Sequence, residues 1–103
     1  MNWEIHIKGF RSFLKLEKSL SDNSVKAYEN DVEKLRQFLE SEDGKTTSPE
    51  NVTSRDLTNF IGRINDLGLS ANSQARIISG VRAFYRYLLM EDIIKNDPTL
   101  LLE

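Results

Sequence analysis

Residues 70–90 read SANSQARIISGVRAFYRYLLM. Apolar residues recur in this segment every three or four positions, which is the spacing of one face of an α-helix. Ser70 stands where a hydroxyl can accept hydrogen bonds from the free N–H groups at a helix start. The segment therefore predicts a long helix that begins after Ser70. Its inward-facing positions are predicted to be Ala75, Ile78, Val81, Tyr85 and Leu88, flanked by Ile77, Phe84 and Leu89.

The same period appears in three earlier segments. A first helix is predicted over residues 3–17, a second from Ser21 or Asp22, and a third from Thr53, with Asp56 in a capping box and Gly68 as the stop. The predicted buried faces are Trp3, Ile7, Phe10 and Leu14 in the first, Val25, Tyr28, Val32, Leu35 and Leu39 in the second, and Leu57, Phe60, Ile61 and Ile64 in the third. Residues 41–51 predict a loop, and no segment alternates long enough to be a strand. The predicted fold is all-α, a compact bundle of four main helices with a short fifth allowed for.

Composition excludes several classes of function. The chain has 103 residues, one domain's worth, and a formal charge of -2. The absence of cysteine excludes disulfides and thiolate metal sites, and a single histidine, His6, disfavours a multi-histidine metal site or a Ser-His-Asp centre. His6 is interpreted as a surface or boundary residue. Because no apolar run approaches the roughly 20 residues that cross a bilayer, and no signal peptide is visible, we expect a cytoplasmic protein without membrane partner, metal, cofactor or small-molecule ligand.

The outward face of the predicted fourth helix is the most informative surface. At about 100° per residue, this face carries Asn72, Arg76, Ser79, Ala83 and Arg86, with Gly80 and Arg82 at its edges. Residues 70–90 hold three arginines and no acidic residue, whereas an ordinary solvated helix mixes the two signs. The small side chains let a bulky partner approach, and arginine suits phosphates and guanine edges, so this face fits a groove of duplex DNA. Tyr87 also falls toward the outer face, where its hydroxyl can meet a phosphate.

The second helix carries a similar polar surface. Asn23, Lys26, Asn30 and Lys34 lie opposite its apolar stripe, and Lys26 and Asn30 are one turn apart, which suits contact with phosphates and base edges. The acidic residues of this segment are predicted to lie elsewhere or toward its end, with only Glu33 bordering the basic face. They are Asp22, Glu29, Asp31, Glu33, Glu40, Glu42 and Asp43. Net acidity thus conceals two cationic ridges, and we expect Lys26 and Arg76 to lie on the same side of the molecule.

Three stretches of this sequence resemble one known family. They are Leu20 to Ser24 leading into Ala27-Tyr28 and Asp31-Val32, Gly68 to Ser73 leading into Ala75-Arg76 and Ser79 to Arg82, and Phe84 to Leu88 ending at Asn96-Asp97-Pro98. In this order and at these distances they resemble the N-terminal core-binding, or SAM-like, domain of tyrosine recombinases and phage-type integrases, the Xer-like group in particular. The resemblance implies a module that closes over one face of a recombination site, opposite a separate catalytic domain, with its second and fourth helices crossing the major groove.

The resemblance also implies a set of DNA-binding residues. Carried over by position, these are Ser24, Lys26, Asn30, Ser73, Arg76, Ser79, Arg82 and Arg86. Arg82 and Arg86 are expected as phosphate clamps, and Ser24 and Ser73 stand near helix starts, where free backbone N–H groups can also receive a phosphate. The chain has no His-x-x-Arg element, so no catalytic residue is assigned and no tyrosine is taken as a nucleophile.

The organisation that follows is a DNA-binding fragment of a larger recombinase. Residues 1–96 are expected to form the helical core-binding domain, and residues 97–103 to begin an interdomain linker or to be the end of a cloned piece. The expected partners are double-stranded DNA and, in the full-length parent, other recombinase protomers. The fragment itself is not expected to be an enzyme. The alternative is a helical protein-interaction module that docks a partner on the same basic face.

Overall fold

The computed structural model describes residues 3–43, 48–100 and 102. They form four α-helices and one short 3-10 turn: α1 (Trp3–Leu16), α2 (Asp22–Asp43), the turn Pro49–Asn51, α3 (Ser54–Asp66) and α4 (Ala71–Met90). The described residues contain no strand. The all-α fold with four main helices is therefore confirmed. The loop predicted over 41–51 differs, because α2 continues to Asp43 and residues 49–51 turn; residues 44–47 lie outside the described part of the chain.

The helix starts follow the predicted capping chemistry. Thr53 Oγ1 accepts a hydrogen bond from the Asp56 amide at 3.1 Å, and Asp56 Oδ2 accepts one from the Thr53 amide at 3.0 Å, which completes the capping box of α3. Ser70 Oγ accepts from the Ser73 amide at 3.2 Å and caps α4. Gly68, just beyond α3, has a φ of +75°, a left-handed conformation that glycine adopts without strain. Local chemistry therefore sets these boundaries.

Aromatic rings from α1 and α4 form the centre of the core. Phe84 is 0% exposed. Its ring stacks on Trp3 at 6.1 Å between centroids and packs edge-on against Phe10 at 5.3 Å and Tyr85 at 5.4 Å. The predicted stripe of α1 is buried throughout, and that of α2 is buried except for a half-buried Tyr28. The ring contacts of Phe84 thus join α1 to α4.

The buried face of α4 is rotated from the predicted one. Its buried residues are Ile77, Gly80, Val81, Phe84, Tyr85, Tyr87 and Leu88. Ala75 is exposed and Ile78 is half-buried, so the prediction for these two positions is wrong or only partly right. The centre of the buried arc lies about 80° from the predicted centre, at 100° per residue. The rotation brings Phe84 to the middle of the core and carries Tyr87 inward with it.

His6 is buried rather than at the surface. Its side chain is 5% exposed, and its Nε2 lies 3.4 Å from the Glu50 carboxylate without a hydrogen bond from the described residues. The reason is the position of the 3-10 turn, which packs against α1 and also accepts a hydrogen bond from Tyr85 Oη at the Pro49 carbonyl, at 3.0 Å. The interpretation of His6 as a boundary residue is therefore wrong.

The segment after α4 folds back on the helices. Thr99 is buried and Leu102 is half-buried against the core. The domain boundary at residue 96 stays a prediction. Within the described part of the chain, no helix is both long enough and apolar enough to cross a membrane.

Candidate nucleic-acid interface

Helices α2 and α4 lie side by side and run in opposite directions. Asp31 of α2 contacts Arg76 and Gly80 of α4, while Tyr28, one turn earlier, lines the same groove as Ala83, one turn later. Their outer faces consequently form one surface, on which Asn30 and Lys34 of α2 are exposed. The two helices are thus joined along one seam.

An ion pair crosses this seam. Arg76 donates from Nη2 to Asp31 Oδ1 at 3.0 Å and from Nη1 to Asp31 Oδ2 at 3.3 Å. The aspartate side chain is 1% exposed, whereas that of the arginine is 53% exposed. The prediction that the α2 acids lie away from the basic face is wrong for Asp31, because its carboxylate sits under a predicted DNA-binding arginine.

Gly80 is what allows Asp31 to occupy this position. A Cβ atom at residue 80 would lie 2.7 Å from Asp31 Cβ and 2.8 Å from its Cγ, and closer still to Oδ2. Real carbon atoms do not approach so closely, so only glycine admits the carboxylate against the α4 backbone. The placement of Gly80 at the edge of the outer face is therefore wrong, since the residue is buried under Asp31.

Burial dominates the electrostatics of Asp31. Removal from water raises the pKa of this carboxyl above its ordinary value of 3.8, while the positive charges of Arg76 and Lys34 act in the opposite direction. Lys34 follows one turn after Asp31 on α2 and acts on the carboxylate through its charge, while Arg76 alone lies within ion-pair distance of it among the described residues.

The substitution Asp31→Asn is expected to change how the free energy of unfolding depends on pH. Because the folded pKa is raised, the folded wild type binds more protons than the unfolded chain above pH 3.8, and this carboxyl contributes less stability as pH rises through that folded pKa. Urea unfolding from about pH 4 to 7 should therefore show the wild type losing stability relative to the variant. A relative gain with rising pH would mean that the ion pair outweighs burial.

Ser24 and Ser73 lie at the helix starts, but their backbone amides already donate hydrogen bonds within the chain. The Ser24 amide donates to Ser21 Oγ at 3.2 Å, and the Ser73 amide donates to Ser70 Oγ at 3.2 Å. The amides of these two residues are therefore not free, because Ser21 and Ser70 cap them, and the binding of a phosphate by other N–H groups at these helix starts stays a prediction. Their hydroxyl groups remain on the polar side of each helix start, and their contact with DNA stays a prediction.

Lys26 and Asn30 are exposed on α2, as predicted. Lys26 forms no ion pair with the part of the chain that is described. It lies about 140° around the helix from Asp31, whereas Lys34 lies about 60° away. Lys34 rather than Lys26 is therefore the α2 lysine beside Arg76, and that Lys26 and Arg76 flank one duplex stays a prediction.

The remaining candidate residues on α4 differ in whether their side chains are exposed or bonded to the chain itself. Ser79 and Arg86 are exposed. Arg82 is half-buried, and its Nη2 donates to the Leu102 carbonyl. Arg82 is thus held by the chain's own backbone in this structure, while Arg86 borders a groove lined by aromatic rings, Tyr28 and Tyr87 among them.

Tyr87 points into the core rather than toward solvent. Its ring lies 5.7 Å from that of Phe10 and 5.3 Å from that of Phe13, and its hydroxyl rests against Gly9. Burial raises the pKa of the phenol. The prediction that this hydroxyl meets a phosphate on the outer face is wrong, since the rotation of α4 carries it to the α1 side.

Three further acidic residues of α2 are held by arginines. Glu29 accepts from Arg11 at 2.8 and 2.9 Å. Arg36 donates to Glu33 at 3.0 Å and to Glu40 at 3.2 Å. Glu33, which the sequence placed beside the basic face, is thus paired, and its effect on the field there is reduced.

Comparison with known proteins identifies the family. Residues 7–92 match the sequence model described as "Phage integrase, N-terminal SAM-like domain". The chain belongs to this family. A SAM-like integrase domain of this kind is what the three sequence stretches indicated, and the four-helix fold agrees with it.

The relatives of this SAM-like domain are tyrosine recombinases. Tyrosine recombinase XerD of Oceanobacillus iheyensis is 34% identical over 100 residues, covering 97% of this chain and 33% of that protein. XerD of Pseudomonas aeruginosa is 37% identical over 94 residues (91% and 30%), and tyrosine recombinase XerC of Lacticaseibacillus casei is 34% identical over 97 residues (94% and 32%). The chain spans about a third of the length of the curated relatives it matches.

Asp31 is the site residue that sequence reasoning missed. Two signals point to it in retrospect. It borders the apolar stripe of α2 next to Val32, and Gly80 interrupts an otherwise good helical segment, which in general marks a close approach. Neither signal alone joins the two positions, which are far apart in the sequence.

Proposed function

We propose that this SAM-like integrase domain binds double-stranded DNA through the joined outer surface of α2 and α4. The observation that carries the proposal is the seam itself, where two polar, cation-bearing helices lie side by side and α4 has no acidic residue. The recombination chemistry would belong to a separate catalytic domain of the parent protein. The domain would act in the cytoplasm, together with the DNA and with other recombinase protomers.

The shape and charge of this surface suit a duplex. The major groove admits an α-helix. Ser79 and Ala83 have short side chains, so the outer side of α4 can approach the groove closely. Lys26 and Arg86 are cations that can lie against phosphates, and Asn30 can meet either a phosphate or a base edge. With four to six phosphate contacts, affinity should fall with roughly the fourth to fifth power of salt concentration.

The domain organisation is part of the same proposal. Residues 1–96 would form the DNA-binding unit, and residues 97–103 would lead toward the catalytic domain. The fold-back of Thr99 and Leu102, together with the Arg82 hydrogen bond, would then set where that connection starts.

Amide-shift mapping with short duplex DNA at low salt tests the proposed surface. Shifts are expected to cluster on α2 and α4, centred on Asn30 and Ser79. Shifts scattered over Lys8 and Lys15 of α1 would indicate unspecific attraction and contradict the proposal. The alternative module would give specific binding to a protein and only generic attraction to the duplex.

Lys26→Ala is expected to lower the exponent of the salt dependence by about 0.9, because one phosphate contact is lost. Affinity should weaken to the same extent on all sequences. The matched control is Lys8→Ala, which removes a lysine that is also exposed but lies on α1, where its Nζ is 3.9 Å from a carboxylate oxygen of Glu4. Duplex titration by fluorescence anisotropy at several salt concentrations measures both. Equal effects of the two variants would show that α2 has no special role.

A further inference from the structure

We propose that Asp31 is a positioning residue that orients Arg76 to read a base edge rather than to bind a phosphate. The inference rests on the proposed function and deepens it, because it assigns different ligands to arginines on one helix. It also gives the buried carboxylate at the seam a role in DNA recognition.

The geometry of the ion pair leaves a usable edge on Arg76. A guanidinium has five N–H donors in a rigid plane. One from Nη1 and one from Nη2 are directed at the two Asp31 oxygens, at 3.3 and 3.0 Å. The Nε–H and the second Nη2–H form a side edge that has no hydrogen-bond partner among the described residues, and half of the side chain is exposed. Such a two-donor edge matches the O6 and N7 acceptors of guanine in the major groove.

The carboxylate also fixes the plane of that edge. Asp31 is held on the α4 backbone at Gly80, so its oxygens have little freedom to move. An arginine bonded to both oxygens loses rotamer freedom before DNA arrives, and the ordering cost of binding is smaller. A free arginine such as Arg86, with no ion pair to the described residues, can instead follow a phosphate.

Charge separates the two roles. The negative carboxylate offsets most of the field that Arg76 would exert on the phosphate backbone, so this arginine contributes little to counterion release. Its contribution is instead directional, as hydrogen bonds to a base are. Removing the carboxylate charge should therefore strengthen sequence-independent attraction while weakening base discrimination.

The test uses the whole chain with a randomised duplex library, followed by anisotropy titrations of an enriched and a scrambled duplex. The wild type is expected to enrich guanine at one position. Asp31→Asn keeps the shape but removes the charge. It should steepen the salt dependence by about one power and reduce the enriched-to-scrambled preference about tenfold. Arg76→Lys keeps the positive charge without the planar fork, so it should lose the preference with an unchanged salt dependence.

The other outcomes overturn the inference in distinguishable ways. Equal weakening on both duplexes by Asp31→Asn, with the wild-type salt dependence, would show a merely structural aspartate. Should that variant fail to fold, Arg76→Lys decides, since a retained guanine preference excludes a base-reading fork. A wild type that binds duplex but enriches no base removes this inference alone, whereas one that binds no duplex at low salt removes the proposed function as well.

Discussion

Phe84→Ala is expected to lower the free energy of unfolding by about 3–5 kcal/mol. The side chain is completely buried and touches Trp3, Phe10 and Tyr85, so its removal leaves a cavity where α1 meets α4. The rings around the cavity belong to different helices and cannot all move to fill it. Urea unfolding followed by circular dichroism at neutral pH measures the change.

Phe13→Ala is the matched control for that substitution. It deletes the same group, but from a half-buried position on α1 that borders a surface groove. Solvent can enter there, so the expected loss is well below that of Phe84→Ala. If the two variants lost equal stability, the centre of the core would not be at Phe84, and the rotation of α4 described above would be wrong.

Gly80→Ala is expected to cost about 2–4 kcal/mol, although alanine is the better helix former. The new methyl group would meet Asp31 Cβ at 2.7 Å and displace the carboxylate from its position under Arg76. Overpacking of this kind costs about 1–3 kcal/mol, and disturbing a buried ion pair adds to it. Thermal and urea unfolding report the loss.

Gly62→Ala is the control for Gly80→Ala. Gly62 is exposed on α3, and a Cβ there meets nothing within 4 Å, so alanine should stabilise the helix by up to about 1 kcal/mol. Adding Asp31→Ala to Gly80→Ala should recover part of the loss, because Cγ and both oxygens are removed while the Cβ contact remains. Strictly additive losses would show that the two residues do not interact.

Helix positions and caps could be predicted from the sequence because they depend on neighbours in the chain. Thr53 with Asp56, and Ser70 with Ser73, make their hydrogen bonds within three residues. The apolar stripe of α1 could also be predicted from nearby residues, since apolar side chains repeat there at the helical period. These features depend on residues close together in the chain, and the structure confirms them.

The orientation of side chains between helices could not be predicted in the same way. His6 is buried because a turn more than forty residues later packs on it. Asp31 is buried because Gly80 leaves room for it. An amphipathic pattern reports that a face is apolar, but it does not report which neighbour covers a polar residue at its edge. The pairing of Asp31 with Arg76 was therefore missed, and the placement of a DNA-binding surface on α2 and α4 stays a prediction.

Two close contacts determine the angle at which α4 is set about its long axis. On one side Tyr87 reaches the backbone of α1 at Gly9, and on another Asp31 reaches the backbone of α4 at Gly80. Side chains of ordinary size would tolerate a small roll of the helix, but contacts made directly on backbone would not. Successive residues of an α-helix are about 100° apart around its axis, so a rotation of α4 would change which side chains face outward. The contacts at these two buried or half-buried glycines therefore determine the direction in which Ser79 and Arg86 point from the outer surface.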